Sequence, residues 1–199
     1  MHINSCDFNL MCYYRLFSKI YEMGAKQMCL DCQGFIKEGS KILDLGCGSG
    51  IAAKYFQDFF KAKVIGIDIR DNRLVPIPFQ IFDGKNLPFE NDSFDVVLIN
   101  YVLHHCQSPE ELLKEAKKVA KRIIIFEDLP EGFLAKLRCQ IHQMIFPGSK
   151  KTFNFKTRKE WREIFEKLTL KIIAENQVFT KFSWLDPIKR IRFVLEKKC

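Results

Sequence analysis

The nine residues ILDLGCGSG at positions 42–50 decide the fold. An apolar segment runs into Gly46, Gly48 and Gly50, which fall where a strand would turn into a helix. Such a turn lets the backbone approach a ligand closely and directs free helix N–H groups at the ligand's anionic part. A dinucleotide fingerprint would need its third glycine where the chain has Ile51, and a P-loop would need a lysine that the turn lacks. The spacing therefore excludes both nucleotide motifs.

Short apolar segments alternate with helical patterns downstream of this turn, as expected for strands of a parallel sheet that are buried on both faces. The predicted strands are KILDL (41–45), KVIGID (63–68), FQIFD (79–83), FDVVLIN (94–100) and RIIIFE (122–127), followed by two closing segments, LKIIAENQVF (170–179) and PIKRIRFVL (187–195). This order predicts an α/β fold in three layers, with a doubly wound, mostly parallel seven-stranded sheet and an antiparallel C-terminal strand.

Helix signals fill the spaces between these strands. Residues 51–60 follow the glycine turn and have helical composition, and residues 8–36 are predicted to be largely helical. Two later helices carry capping-box patterns, the first with Pro109 at its first position. The capping pairs are Ser108 with Glu111 and Thr157 with Glu160.

The composition is that of a globular protein, with 47% hydrophobic and 28% charged residues in 199. This length suits a single domain over 1–199 that buries its own core. The longest apolar runs are far shorter than the roughly 20 residues of a membrane span. The first twenty residues also lack the uninterrupted apolar stretch of a secretion signal. We therefore expect a cytoplasmic protein.

Eight cysteines lie at irregular intervals, which in a chain of this kind indicates reduced thiols. Cys29 and Cys32 form a C-x-x-C motif, but zinc sites need a second such pair or two histidines at matching spacing. We expect two partly buried thiols on one helix face and no metal.

Asp68 ends the second predicted strand, twenty residues after Gly48, where a carboxylate can accept two hydrogen bonds from a ribose diol. The quoted stretches ILDLGCGSG, GIDIR (66–70), FDGKNLPFENDSFDVVLINYVLHH (82–105) and EWREIFEKLTLKII (160–173) together make the chain resemble the class I, Rossmann-like S-adenosylmethionine-dependent methyltransferases. The resemblance is greatest to their small-molecule branch, which includes quinone-biosynthesis-type enzymes. It implies S-adenosyl-L-methionine as cofactor and methyl transfer to a small organic acceptor.

The resemblance also implies which residues bind the cofactor. In such families the glycine turn cradles the methionyl part, the acid after strand two holds the ribose hydroxyls, and the acid after strand three contacts the adenine amino group. The matching positions are Asp44, Gly46, Cys47, Gly48, Gly50, Asp68, Ile69, Asp83, Gly84 and Asn100, the last of which faces the methyl-transfer centre.

Three of these assignments need comment. Only 15 residues, including two prolines, separate Asp68 from Asp83, so the helix usual there should be shortened or missing. Asp83 could instead make a turn ahead of Gly84. Cys47 is interpreted as a small residue that fits the turn, since no activating base lies near it in sequence.

His104 and His105 follow the fourth strand, close to the expected methyl-transfer centre. A histidine there can act as a general base, because its ordinary pKa of about 6.5 suits proton removal at neutral pH. The alternative is a histidine at a helix start that is satisfied by backbone. Methyl transfer from a sulfonium can also proceed through proximity and orientation alone.

Two segments flank this core. Residues 1–39 are expected to form a helical cap, with Tyr14 as a candidate lid over the cofactor, and residues 131–156 an acceptor-binding insertion. The insertion mixes large apolar side chains with basic ones. That pattern suits an apolar acceptor with an anionic group or a membrane-surface substrate, while a solvated helix is an equal alternative.

The formal net charge of +8 is concentrated in the last third. Residues 1–130 hold 16 Lys and Arg against 17 Asp and Glu, whereas residues 131–199 hold 16 against 7. We expect the basic segment to frame the acceptor site, and the acceptor to be anionic or held at an anionic surface. RNA is the rival acceptor, and a non-catalytic module that keeps the cofactor pocket is the rival class. No pattern fixes the oligomeric state.

Overall fold

A computed structural model describes residues 5–145, 154–179 and 188–198. The helices are α1 (Ser5–Leu16), α2 (Ser18–Asp31), α3 (Ile51–Phe59), α4 (Pro109–Val119), α5 (Phe133–Ile145) and α6 (Arg158–Lys167), with a short 3-10 helix at Leu103–His105. The strands are β1 (Lys41–Leu45), β2 (Lys63–Asp68), β3 (Phe79–Ile81), β4 (Phe94–Asn100), β5 (Ala120–Leu129), β6 (Leu170–Val178) and β7 (Lys189–Lys197).

The sheet has the strand order β3-β2-β1-β4-β5-β7-β6. Strands β1 to β5 are parallel, and β7 runs antiparallel to both of its neighbours. The predicted seven-stranded, mostly parallel sheet is therefore confirmed. The strand order reverses between β1 and β4, and in such sheets the ligand crevice opens at that point, beyond the carboxyl ends of the strands.

Strand boundaries differ from the prediction where pairing partners decide them. Strand β3 ends at Ile81 because it pairs with β2 only through Gly66–Asp68. Strand β5 is longer than predicted, since β7 pairs with it along Arg122–Leu129. The start of the second closing segment, predicted at 187, lies outside the described residues.

Helices cover both faces of the sheet. On one face α4 and α6 pack through Leu113 and Trp161 against strand residues such as Phe193. On the other, α2 and α3 pack against β1, β4 and β5, with Phe56 of α3 beside Phe126 of β5. These are the three layers that the sequence predicts. In the part of the chain described, no helix combines the length and the apolar character that crossing a membrane demands.

The loop between β2 and β3 contains no helix, as its two prolines predict. Arg73 holds it instead. The Arg73 Nη1 donates to the Ile77 carbonyl at 2.6 Å, and its guanidinium lies 4.3 Å from the centre of the Phe79 ring. One cation thus ties the loop to the edge strand.

The two predicted capping boxes have different outcomes. Thr157 and Glu160 form theirs at the start of α6, as predicted. The box at Ser108 is wrong: its side chain makes no capping hydrogen bond, and Glu111 instead accepts from Lys114 at 2.7 Å. Pro109 begins α4 as predicted.

Candidate active site

The glycine turn after β1 has a backbone that only glycine adopts easily. Gly46, Gly48 and Gly50 all have positive φ, at 78°, 50° and 75°. A Cβ added at Gly46 would lie 2.5 Å from the Val102 Cγ2, and one at Gly48 would lie 2.9 Å from the Tyr14 hydroxyl. The turn is therefore fixed by backbone conformation and by close neighbours, and it keeps a bare backbone surface at the head of α3.

Asp68 joins this turn to the end of β2. Its Oδ2 accepts from the Gly48 N–H at 2.9 Å and its Oδ1 from the Ile69 N–H at 2.7 Å. Burial raises the pKa of Asp68, and the backbone donors partly offset that rise by stabilising the charged form. The carboxylate is thus oriented by three backbone donors, the third being the Arg70 N–H.

Asp44 and Asn100 lie side by side at the carboxyl ends of β1 and β4. Asp44 is 1% exposed, and its Oδ1 accepts from the Asn100 Nδ2 at 3.3 Å. The Asp44 Oδ2 and the Asn100 Oδ1 are both buried without a donor among the described residues. Burial, with the nearby charge of Asp68, raises the pKa of Asp44 to about 7. Two orphaned acceptors beside a glycine turn fit a ligand that brings hydrogen-bond donors, such as an α-ammonium group.

Asp83, Ile69 and Gly84 lie at the rim of the same crevice. The Asp83 Oδ1 accepts from the backbone of Lys85 and of Asn86, each at 2.8 Å, and Oδ2 accepts from the Asn86 side chain at 3.0 Å. These bonds lower the pKa of Asp83 to about 2. Ile69 is 57% exposed and directly faces Gly84. The geometry fits the turn interpretation of Asp83, because both oxygens already have partners.

Four of the described cysteines are buried, namely Cys29, Cys32, Cys47 and Cys139, whereas Cys12 is exposed and Cys106 is half-buried. Burial raises the pKa of Cys47, whose side chain packs against Gly66 of β2, so its thiol stays protonated and fills the turn. Cys29 and Cys32 are both fully buried, and burial raises the pKa of Cys29 to about 12. Among the residues with described placement, no group of three ligating side chains could hold a metal ion.

His104 lies beneath the surface of the acceptor side. It is 3% exposed, and its Nδ1 is 2.6 Å from the Oε2 of Glu127 on β5. The other Glu127 oxygen accepts from the Leu103 N–H at 2.7 Å. Burial lowers the pKa of His104, but the charge of Glu127 and the hydrogen bond to it outweigh that effect, so the pKa is raised. His105 is half-buried, with its ring centre 4.1 Å from that of His104.

Sequence reasoning missed Glu127, which is fully buried in β5. Its signal was a single acid inside the apolar run RIIIFE, since a buried charge requires a partner. Tyr14, the candidate lid, lies over Gly48, and burial together with the charge of Asp68 raises its pKa. Its ring also packs edge-on against Tyr21 at 5.3 Å.

Comparisons with known proteins agree with this geometry. Residues 43–125 match a family described as a methyltransferase domain. The uncharacterised protein MJ1123 of Methanocaldococcus jannaschii is 33% identical over 159 residues, which cover 75% of this chain and 72% of that protein. The demethylmenaquinone methyltransferase of Paenarthrobacter aurescens is 31% identical over 46% of this chain and 40% of that protein.

Solved structures share the fold. A putative methyltransferase in complex with the Haloferax volcanii Trm112 methyltransferase activator superimposes with a TM-score of 0.81 and 15% identity over the whole of both chains. The YcgJ protein of Bacillus subtilis superimposes with a TM-score of 0.67 and 17% identity over 90% of this chain and 99% of that one.

The fold and the site define a class I S-adenosylmethionine-dependent methyltransferase, with S-adenosyl-L-methionine as its cofactor. Within that class the chain belongs to one family with MJ1123. The matched region spans less than half of the demethylmenaquinone methyltransferase.

Proposed function

We propose that the protein transfers a methyl group to a small organic acceptor, chiefly by holding the two reactants in line. One observation carries this proposal. Residues 154 and 155 pack on the loop that follows β4: the Asn154 N–H donates to the His104 carbonyl at 2.7 Å, and the Phe155 ring stacks on the His104 ring at 4.6 Å. A covered acceptor side suits a small molecule better than a polymer, which needs an open groove.

The residues at the carboxyl edge fit the cofactor. The orphaned oxygens of Asp44 and Asn100 would accept from its α-ammonium, Asp68 would hold the ribose hydroxyls, and the turn at 46–50 would pass along the methionyl part. When bound, S-adenosylmethionine would supply a methyl group on a positively charged sulfur. The lone pair of the acceptor would bond to the methyl carbon as the carbon–sulfur bond breaks and S-adenosylhomocysteine leaves. In this assignment Asp83 shapes the rim through its turn, and its adenine contact stays a prediction.

The two histidines receive different roles in this proposal. His104 is buried with its Nδ1 on Glu127, so we assign it as a positioning residue for the loop after β4. His105 is less buried, and we assign it as the candidate general base for acceptors that must lose a proton. Acceptors with a free lone pair would need no base.

RNA is the second candidate acceptor. Its support is the similarity to the mouse probable tRNA methyltransferase 9B, at 30% identity over 92 residues, 43% of this chain and 20% of that protein. Named relatives acting on small molecules include the sarcosine/dimethylglycine N-methyltransferase of Aphanothece halophytica, at 30% identity over 52% of this chain. Several cations of the basic third are already paired with carboxylates, which weakens the case for a phosphate groove.

The test is methyl transfer from radiolabelled S-adenosylmethionine to a fractionated metabolite extract and, in parallel, to total RNA. Each reaction is run with and without a Trm112-type activator, because the Haloferax neighbour is complexed with one. We expect label in a small-molecule fraction, and a loss of at least tenfold in His105→Gln if that acceptor must be deprotonated. Label in RNA alone, with or without activator, would overturn the small-acceptor proposal.

A further inference from the structure

Over residues 133–141, where its side chains are described, helix α5 exposes large apolar side chains and buries small ones. Phe133 is 80% exposed and Leu134 is 64% exposed, while the buried positions are Ala135 and Cys139. Ordinary surface helices of globular proteins show the opposite pattern. Within residues 133–141, α5 therefore contacts the protein through two small side chains and presents its large apolar ones outward.

These exposed residues form one continuous face. At about 100° per residue, Phe133, Leu134, Leu137 and Ile141 all fall within a sector about 100° wide. Ala135 and Cys139 lie on the opposite side. The apolar face is therefore a stripe along the helix. It is as wide as the apolar stripe by which surface helices normally pack on a protein core.

Two cations border the stripe. Lys136 and Arg138 lie on its two sides at helical spacing, and both are exposed. Neither makes an ion pair with any residue whose side chain is described, although most neighbouring cations of the basic third do. An apolar stripe between free cations is the pattern of a helix that lies in the headgroup region of an anionic bilayer.

The stripe lies at the functional edge of the molecule. Helix α5 begins four residues after Leu129, which ends β5 at the carboxyl edge of the sheet. Two further exposed apolar residues, Leu16 (78% exposed) and Ile20 (62% exposed), lie where α1 meets α2, and α1 reaches the same edge through the contact of Tyr14 with Gly48. Exposed apolar side chains of α5 and of the α1–α2 junction thus lie on elements that adjoin the carboxyl edge of the sheet.

We propose that α5 docks the protein on an anionic phospholipid surface, with the Phe133–Ile141 stripe in the headgroup region and Lys136 and Arg138 on the lipid phosphates. The charge complementarity of unpaired cations with anionic headgroups selects a bilayer over a second copy of this positively charged chain. Docking would place the crevice next to lipophilic acceptors. The proposal concerns binding alone and holds whether or not methyl transfer does.

The experiment is sedimentation of the full chain with vesicles of phosphatidylcholine alone and of phosphatidylcholine mixed with phosphatidylglycerol. We expect binding to the mixed vesicles that weakens as salt is raised. Phe133→Ser with Leu137→Ser should reduce the partition coefficient at least tenfold. Lys136→Gln and Arg138→Gln should each reduce it about fivefold.

Matched controls lie at the other end of the sheet. Phe59→Ser removes a side chain that is 42% exposed near the end of α3, and Lys63→Gln removes a charge at the start of β2; both should leave binding unchanged. Equal losses in these controls would overturn the proposal, as would no binding to the mixed vesicles. A dimer by light scattering that Phe133→Ser with Leu137→Ser dissociates would assign the stripe to a second copy instead.

Discussion

The cofactor side and the acceptor side of the crevice are built by different means. The cofactor side is local: Gly48 and Asp68 are joined across two adjacent strands, and the turn conformation follows from its glycines. The acceptor side depends on contacts between distant segments, in which Glu127 holds Leu103 and His104, and His104 in turn holds Asn154. The cofactor side can therefore be predicted from a short sequence motif, whereas the contacts of the acceptor side form only when distant segments fold together.

Charge differs between the two sides as well. The expectation that the basic third frames the acceptor site stays a prediction, and several of its described cations are paired with carboxylates. Arg162 pairs with Glu175 at 2.8 Å, Lys167 with Glu110 at 2.7 Å, and Arg190 with Asp128 at 3.3 Å. Several cations of the basic third are thus paired within the protein. Lys136 and Arg138 on α5 have no such partner among the residues whose side chains are described.

Replacing Glu127 should have the largest effect on stability, because its carboxylate binds both Leu103 and His104 on the acceptor side. Glu127→Ala should lower the free energy of unfolding by about 3–5 kcal/mol, since it strands the buried His104 and the Leu103 N–H. Urea denaturation measures this. Glu111→Ala, at an exposed acid, is the control and should change stability by less than about 0.5 kcal/mol. An equal effect of both would contradict the role of Glu127.

The same pair predicts a pH dependence. The pKa of His104 is raised in the folded state, so its pairing stabilises the protein below the ordinary histidine pKa and is lost as pH rises through the folded value. Stability should therefore decline from pH 6 to pH 9, and Glu127→Gln should flatten that decline. A wild-type protein equally stable at both pH values would contradict the pairing.

Asp44→Asn tests the cofactor side. The folded pKa of about 7 lies above the unfolded value, so ionising Asp44 destabilises the ligand-free protein as pH rises from about 4 to about 7. The substitution should raise its unfolding free energy at pH 8 by up to about 4 kcal/mol. It should also weaken S-adenosylmethionine binding at least tenfold, because an acceptor for the ammonium is lost. Lower stability together with unchanged affinity would contradict this account.

Asp68→Ala should weaken S-adenosylmethionine binding about 100-fold, since two ribose hydrogen bonds and the orientation of the turn depend on that carboxylate. Isothermal titration calorimetry measures the change. Asp58→Ala on α3, at an exposed acid paired with Lys54, is the matched control and should leave affinity unchanged. Indifference to Asp68→Ala would remove the ribose assignment.

The smallest effect is at the N-terminal cap of α6. Thr157→Ala should lower the free energy of unfolding by about 1 kcal/mol without altering cofactor affinity, because Thr157 accepts from the Glu160 N–H. Ser108→Ala makes a direct comparison, since Ser108 has the same sequence pattern and no capping hydrogen bond. A larger loss at Ser108 would contradict the difference between the two caps.

The limits of sequence reasoning follow the same division. The seven-stranded, mostly parallel sheet, the glycine turn and the shortened or missing helix before β3 were predictable, because each depends on neighbouring residues and on the rules of βαβ connection. The burial of His104 was not, since it depends on Glu127 and Phe155, which lie 23 and 51 positions away. Asp83 shows a third case, in which one short sequence fits both a ligand contact and a turn; the hydrogen bonds from Lys85 and Asn86 show the turn, and the ligand contact stays a prediction.

Calorimetric titration of the purified protein with S-adenosylmethionine, in buffers of different ionisation enthalpy, tests the central claim most directly. We predict one site per chain, with protons released on binding near pH 7 as Asp44 becomes ionised beside the cofactor, and no such release in Asp44→Asn. No binding at high micromolar concentration, or binding whose proton release is the same in Asp44→Asn, would contradict the account.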